Sequence, residues 1–399
     1  MKPRGVDARM KPLLVLISLL VLLAGLASLW TLGSRGPESM PTPSLDALLD
    51  LDLDLGAEGF AEVVEDRPLR FPEDHGAHPE YRGELWNLFG QLTDAEGGRY
   101  AFQLGITRLG LAANPPPRAS AWAANAVYRG RLTLVRADEP GVRSAERLTR
   151  AASGLAGADV QPMSVWIEDW FLSVSDGEPN RPRMHLVAGG EGPALTLDLI
   201  AGKSPLPFAD LGLLGGDIGE IGLQAYLLPR MAAVGTLILD SQSRSVEGQV
   251  WLDHAWGTLP RSGGQVGLNR FSIQLDQDRE LLCLQLRRED GTGTPIPACA
   301  LILADGQVQS FRRREIRLEP FERWLSPRTG ARYPVAWRLG IPILDLELEL
   351  VPRTRDQEAD DAVRLWSGAV QAVGRLGGDA IAGHGRIETT AEVAGPAGI

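Results

Sequence analysis

The sequence predicts an all-β body of two barrel or sandwich domains, preceded by an N-terminal hydrophobic helix. Three observations carry this reading. Apolar and polar residues alternate with period two along many short runs, such as Tyr100-Ala101-Phe102-Gln103-Leu104-Gly105-Ile106, the pattern of half-buried strands. Gly, Pro and Asp punctuate those runs at short intervals, as in sandwiches and barrels. A length of 399 residues exceeds what one domain usually holds.

Taken in chain order, the first element is the clearest. Lys2, Arg4, Arg9 and Lys11 precede an uncharged apolar run from Pro12 to Ser34. A basic stretch before an apolar segment marks export, and about 20 apolar residues suffice to span a bilayer. Residues 1–34 are therefore a signal anchor or a cleaved signal peptide. The anchor is preferred because Ala27 and Ser28 make a mediocre cleavage site, and no Cys follows to carry a lipid. Its basic end would be cytoplasmic. The body is expected in the cell envelope, anchored to the inner membrane or secreted, facing the periplasm or exterior.

Residues 35–57 read as a linker. Its acidic-aliphatic run Leu51-Asp52-Leu53-Asp54-Leu55 suits an edge strand or a solvated tether. Residues 58–256 form the expected first β domain and 257–399 the second, where Phe271–Leu275 and Leu344–Leu350 alternate again. Short helices are possible at 142–154 and 208–216. Inward-facing Trp86, Phe89, Phe102, Trp122, Trp166 and Trp170 would either line a ligand cavity or fill a core.

Net charge is −11, with 44% hydrophobic and 23% charged residues. That balance supports real cores and argues against a nucleic-acid surface, which needs a basic face. Cys283 and Cys299 flank the turn Glu289–Gly293 at equal distance from Gly291. A hairpin there sets them opposite one another, as a disulfide or as two buried thiols.

Two clusters carry chemistry that a structural turn does not need. Phe71–Trp86 holds Asp74, His75, His78, Glu80 and Glu84, and Trp251-Leu252-Asp253-His254-Ala255-Trp256 ends a distant strand. Together they contain three of the five His, so the imidazole chemistry is concentrated rather than scattered.

With these clusters, Ser120-Ala121-Trp122-Ala123, Gly154–Ala158, Val165–Trp170 and Arg332-Tyr333-Pro334 in order, the chain resembles the carotenoid 1,2-hydratase (hydroxyneurosporene synthase) and AttH-like family of lipocalin-like envelope proteins. The resemblance runs from about Gly59 to Thr390. It implies two lipocalin-like β domains meeting around the Asp-His clusters. In the carotenoid branch it implies addition of water to an isoprenoid double bond, which needs a neutral carboxylic acid as proton donor. It also implies an ABC-type permease as a partner, because family members often accompany envelope transport systems.

The chain departs from the family pattern in one direction. The family's Asp-His-Glu-Trp is here Asp253-His254-Ala255-Trp256, and Gly-Trp-Asp-Trp-Phe is Gly267-Leu268-Asn269-Arg270-Phe271. Tyr-Trp-Glu-Gly is Leu365-Trp366-Ser367-Gly368, Glu-Trp-Trp-Tyr is Glu84-Leu85-Trp86-Asn87, and Gly-Tyr is Gly385-Arg386. Acids are lost at Ala255, Asn269 and Ser367, while Asp74, Glu84, Asp253 and Glu388 remain.

Several chemistries follow from the residues themselves. Asp253 and His254, facing Asp74, His75 and Glu84, form a candidate acid–base set; a hydrogen-bonded polar seam is the alternative. His78, Trp86, Trp122, Trp166 and Trp256 are candidate ligand-binding residues. His75-x-x-His78 is too unspecific a spacing to predict a metal, and no motif calls for a cofactor. A hydrolase has no visible nucleophile elbow. The expected function is the binding or handling of an apolar lipid or isoprenoid-like ligand by a protein whose family site is partly degraded. An active hydratase or hydrolase is the alternative, and a ligand-free structural protein a third.

Overall fold

The computed structural model describes residues 58–392, except 64–66, 115–119, 121, 138, 140, 214–222, 258–265, 289–295 and 360–363. The apolar N-terminal segment and the Leu51–Leu55 run lie outside the described residues, as does the end of the 208–216 stretch.

The body is all-β, in two antiparallel sheets. The first opens with four long neighbours, β1 (Gly83–Asp94), β2 (Arg99–Gly110), β3 (Ala126–Arg136) and β4 (Arg143–Arg150). Short strands β5 (Ala156–Asp159) and β6 (Ser164–Ile167) lead to β7 (Trp170–Glu178), β8 (Arg181–Gly189) and β9 (Ala194–Ala201). A stub, β10 (Leu206–Pro207), precedes the two longest strands, β11 (Leu223–Leu239) and β12 (Gln242–Gly257). The spatial order is β4-β3-β2-β1-β12-β11-β9-β8-β7-β6-β5, with β10 beside β11. Pairing β1 with β12, from Gly83↔Gly257 to Asp94↔Val246, rolls the sheet into a nearly closed barrel. Pro229 cannot donate to a ladder, and the β11–β12 register shifts there, between Leu228 and Met231.

The second sheet comprises β13 (Val266–Leu275), β14 (Arg279–Arg288), β15 (Ile296–Ile302), β16 (Val308–Arg312), β17 (Arg317–Leu325), β18 (Arg332–Ile341), β19 (Leu346–Pro352), β20 (Leu365–Leu376) and β21 (Asp379–Thr390). Its order is β16-β15-β14-β13-β21-β20-β19-β18-β17, a half-barrel. Cys283 and Cys299 face each other across β14 and β15 and are joined in a disulfide.

The helix expected over 142–154 is instead β4, paired along β3 from Arg143↔Leu134 to Arg150↔Val127. Charged residues alternating with small ones suit a barrel edge strand as well as a helix, and tertiary pairing decides between them. Of the 208–216 stretch, Phe208–Leu211 forms a single 3₁₀ turn.

Period two assigns the side chains. On β1, Trp86, Leu88 and Leu92 point into the barrel, where they pack with Phe102, Trp170, Tyr226 and Trp256. Leu88, Trp170, Tyr226 and Trp256 are completely buried. A void large enough for water would give its lining residues accessible surface, so this aromatic core is filled and is not a ligand cavity. Phe89 points the other way, joining Trp251, Leu211, Leu282, Ala300 and Ile302 in an apolar layer between the sheets. Beside that layer the buried Lys203 ammonium donates to Glu280, Asp278 O and Leu303 O, and Arg230 donates to the same Glu280.

Candidate functional site

The strap before β1 folds across one end of the barrel. Asp74 accepts from the Arg70 backbone N–H at 2.5 Å and draws the chain into the 3₁₀ turn Glu73–His75. Gly76 then passes so close to Val160 that a Cβ would sit 2.0 Å from the Val160 carbonyl oxygen. Ala77 N–H donates to Asp159 O, seating the strap on β5. This docking delivers His78 into the barrel above Glu84.

Glu84 is the hub. Its Oε1 accepts from the His78 backbone N–H, from His78 Nδ1 and from His254 Nε2, each at 3.0 Å. Arg108 Nε donates to Oε2 at 3.2 Å, while Arg108 Nη2 ties down the carbonyls of His78 and Tyr81. On its far side His78 Nε2 meets Asp74 Oδ1 at 3.1 Å, and Arg67 grips Asp74 with both terminal nitrogens. The result is an alternating chain of charge: Arg67, Asp74, His78, Glu84, Arg108.

Protonation follows from that geometry. His78 has a carboxylate on each nitrogen, and carboxylates only accept, so both nitrogens carry hydrogen and the ring is an imidazolium. Burial pulls its pKa down, but the bonds to Asp74 and Glu84 outweigh burial and raise it. Burial likewise pushes Glu84 up, yet the donors from His254 and His78 and the Arg108 charge hold it down at about 2. Asp74 is lowered in the same way. His254 is neutral: burial lowers its pKa against the pull of Glu84. It donates through Nε2, which leaves Nδ1 as a buried acceptor with no partner. His75 donates through Nε2 to Pro179 O, accepts from Tyr226 OH on Nδ1, and is lowered to about 4 by burial.

Aromatic rings wall this centre. Trp256 stacks on His78 at 3.6 Å and 6° between planes, and Trp86 stacks on His254 at 4.9 Å. A cation over an indole face is itself stabilising. Of the sequence-predicted residues, the structure thus brings Asp74, His75, His78, Glu84, Trp86, His254 and Trp256 together.

Asp253 does not join them. It neighbours His254 on a strand, so it points to the opposite face. There it accepts from Trp251 Nε1 at 2.8 Å and from Arg270 at 2.7 Å. Arg386 lies 3.7 Å from Asp253 and 2.9 Å from Glu388, completing an ion quartet between the sheets. The expected facing of Asp253 with Asp74 and His75 is therefore corrected. Trp122 and Trp166 are corrected too. Trp122 is 64% exposed on a loop, and Trp166 faces outward between the inward Val165 and Ile167, donating to Gly154 O.

His78 Nδ1, Glu84 Oε1 and His254 Nε2 lie within 4.8 Å of one another, a set able to ligate a metal. Occupancy would require both imidazole donors to leave Glu84 beside the Arg108 charge. The hydrogen bonds already present account for every one of these atoms.

Outside the barrel, the odd-numbered face of β1–β3, Ser144 of β4 and the strands β20 and β21 border a cleft of about 430 Å³. Leu85, Asn87, Leu365, Ser367 and Arg386, the positions at which the sequence differs from the pattern its resemblance implies, line it. Ala255 sits beside Leu85 in register. Asn269 stands apart, buried against Gln285 and Thr389. These positions clasp the sheets: Ser367 exchanges two hydrogen bonds with Gln103, and Arg386 donates to Asn87. Gln103, Gly105, Arg129 and Arg131 also line the cleft. Sequence reasoning missed these four, because polar residues and a glycine on the outer face of a barrel strand look like ordinary solvent positions.

The AttH-like family model matches residues 62–391. The chain belongs to the AttH-like family. A crystal structure described as AttH from Nitrosomonas europaea matches with 26% identity and a TM-score of 0.71, over 84% of this chain and 100% of that one. Kievitone hydratase from Nectria haematococca matches at 14% identity and TM-score 0.58, over 84% and 98% of the two chains. CghA with Sch210972 matches at 14% and 0.50, over 84% and 97%. These last two likenesses show the shared fold alone. No curated relative matches the sequence. The AttH-like scaffold thus carries two polar centres here, a sealed one around Glu84 and an open one in the cleft.

Proposed function

We propose that this AttH-like protein binds an amphiphilic lipid or isoprenoid-like ligand in the cleft between its two sheets and handles it without chemical conversion. The observation that carries the reading is an open cleft between the sheets, lined by Leu85, Asn87, Leu365, Ser367 and Arg386, while the barrel interior is filled. A volume of about 430 Å³ falls in the range of small-ligand sites. Hydration of an alkene needs a neutral carboxylic acid. Glu84, Asp74 and the cleft-lining Glu358 are all held below their ordinary values by donors that overcome burial. The same reading places the body in the cell envelope behind the N-terminal apolar segment, with an ABC-type permease as partner.

The test is native mass spectrometry of the exported chain beside its Gly105→Phe variant. A Cβ at Gly105 meets nothing within 4 Å, so the new ring enters the cleft without displacing the strands. A co-purified lipid mass in the parent, absent from the variant, is the expected result; equal ligand in both would refute the cleft as its site.

A second reading, a hydratase or hydrolase, is favoured by the unpartnered Nδ1 of neutral His254. Loss of turnover of an identified substrate in His254→Ala would support it, and retained turnover would remove His254 from that role.

A further inference from the structure

We infer that the cleft selects an uncharged amphiphile, whose hydroxyl-bearing end is read by a row of neutral side chains across β2, β3 and β4. The inference rests on the cleft being a binding site, as proposed above.

Charge is a poor selector in this cleft, because the charges that line it are already engaged within the fold. Arg129 pairs with Glu146 at 2.9 Å. Arg131 stands in register with the same Glu146 and likewise has partners in the fold. Arg386 donates to Glu388 at 2.9 Å. Glu358 accepts from Ser326 at 2.5 Å and from Thr329 and Tyr333 at 2.6 Å each, and pairs with Arg328 at 3.2 Å. Asp356 is exposed at the rim, where water screens it. A charged ligand would have to break one of these sets or be desolvated without a counter-charge, and either is costly.

The neutral groups are placed differently. Gln103 pairs with Thr133, and Thr133 with Ser144, so the three form one register row along the cleft. Ser367 fixes the Gln103 amide, donating to its Oε1 at 2.7 Å and accepting from its Nε2 at 2.9 Å. The Thr133 and Ser144 hydroxyls are held by no other described residue and stand open to the cleft. A hydroxyl both donates and accepts, so this row complements ligand hydroxyls presented in either sense. The next row along β2 and β3 is apolar, with Ala101 paired to Val135 and Val142 beside them in the lining. Two residues along a strand span about 7 Å, so one ligand reaches both rows. A hydrogen-bonding row beside an apolar one is the complement of an uncharged polyol end on an alkyl or isoprenoid chain.

The test is photo-crosslinking of the full chain in its host membranes with diazirine analogues of monododecanoylglycerol, dodecanoic acid, dodecylammonium and dodecane. Labelling is normalised to the probe content of the membrane. The first probe reports an uncharged diol end, the next two report either charge, and the alkane reports the apolar body alone. The expected result is labelling of the peptides covering 99–110 and 126–136 at least tenfold stronger with the glycerol ester than with the other three. In the near-isosteric double variant Thr133→Val with Ser144→Ala, that preference should fall to within about twofold of dodecane, while dodecane labelling itself persists. Equal or stronger labelling by the acid, the ammonium or the alkane overturns the uncharged polar assignment and leaves the cleft standing. An undiminished preference in the double variant overturns the role of the hydroxyl row. Labelling that is absent from the parent, or that survives Gly105→Phe, removes the cleft itself.

Discussion

Asp253 and His254 are adjacent on β12 and act on opposite sides of its sheet. His254 donates to Glu84 inside the barrel, and Asp253 accepts from Arg270 of the second sheet. One dipeptide thus serves two separate polar centres, one closing the barrel and one joining the sheets. The division explains why a pair that resembles catalytic machinery in sequence is not one in space.

The Glu84 hub should govern the stability of the barrel. Removing one member of a buried ion pair leaves the others unpaired and costs about 3–5 kcal/mol. Glu84→Ala should therefore fall in that range by urea denaturation, with Glu84→Gln somewhat milder because its oxygen still accepts. A loss under about 1 kcal/mol would show that the network is not maintained in solution.

Stability should peak in a pH window set by histidines of opposite behaviour. His78 has a raised pKa, so its contribution is complete below its ordinary value of 6.5 and is lost as pH rises through the raised value. His75, lowered from 6.5 to about 4, and His254, also lowered, contribute fully above 6.5 and lose that contribution as pH falls. The maximum is thus expected near pH 6.5, with stability declining as pH rises from there toward the folded-state pKa of His78. In His78→Gln the alkaline decline should flatten while the acid limb remains, which thermal melts across pH would reveal.

Lys203, Glu280 and Arg230 should hold the sheets together as a unit. Lys203→Met strands part of the buried Glu280 carboxylate and should cost about 3 kcal/mol or more, whereas Lys203→Met with Glu280→Leu should regain much of it. Denaturation of both variants decides this; simple additivity would contradict the coupling.

The Cys283–Cys299 disulfide closes a loop with a sequence separation of 16. Its removal by paired Ala substitutions should cost about 3 kcal/mol on loop entropy. Reduction by dithiothreitol should shift the parent's denaturation midpoint toward that of the double variant.

Strap docking can be probed at Gly76. Gly76→Ala places a methyl against the Val160 carbonyl, a contact that cannot be absorbed without moving backbone. Faster proteolysis within 67–82 than in the parent is expected, and unchanged cleavage would mean the strap docks elsewhere.

Much of this molecule was legible in its sequence, because alternation along a strand is a local property. It marked the β architecture, the inward Trp86 and the chemistry gathered near His78 and His254. The same local logic failed at 143–150, where charged and small residues satisfy helix and edge strand equally and only pairing with β3 chooses.

By itself the sequence determined the strand class, the family and the pool of imidazoles and carboxylates. Only the tertiary structure decided how those groups are shared out. Which acid meets which base depends on register between strands far apart in the chain, and parity sends neighbouring residues to opposite faces. Leu85, Asn87, Ser367 and Arg386 become one cleft only when β1 and β20–β21 are set side by side. That contact spans nearly 300 residues, and it depends on burying Phe89 and Trp251 against the second sheet.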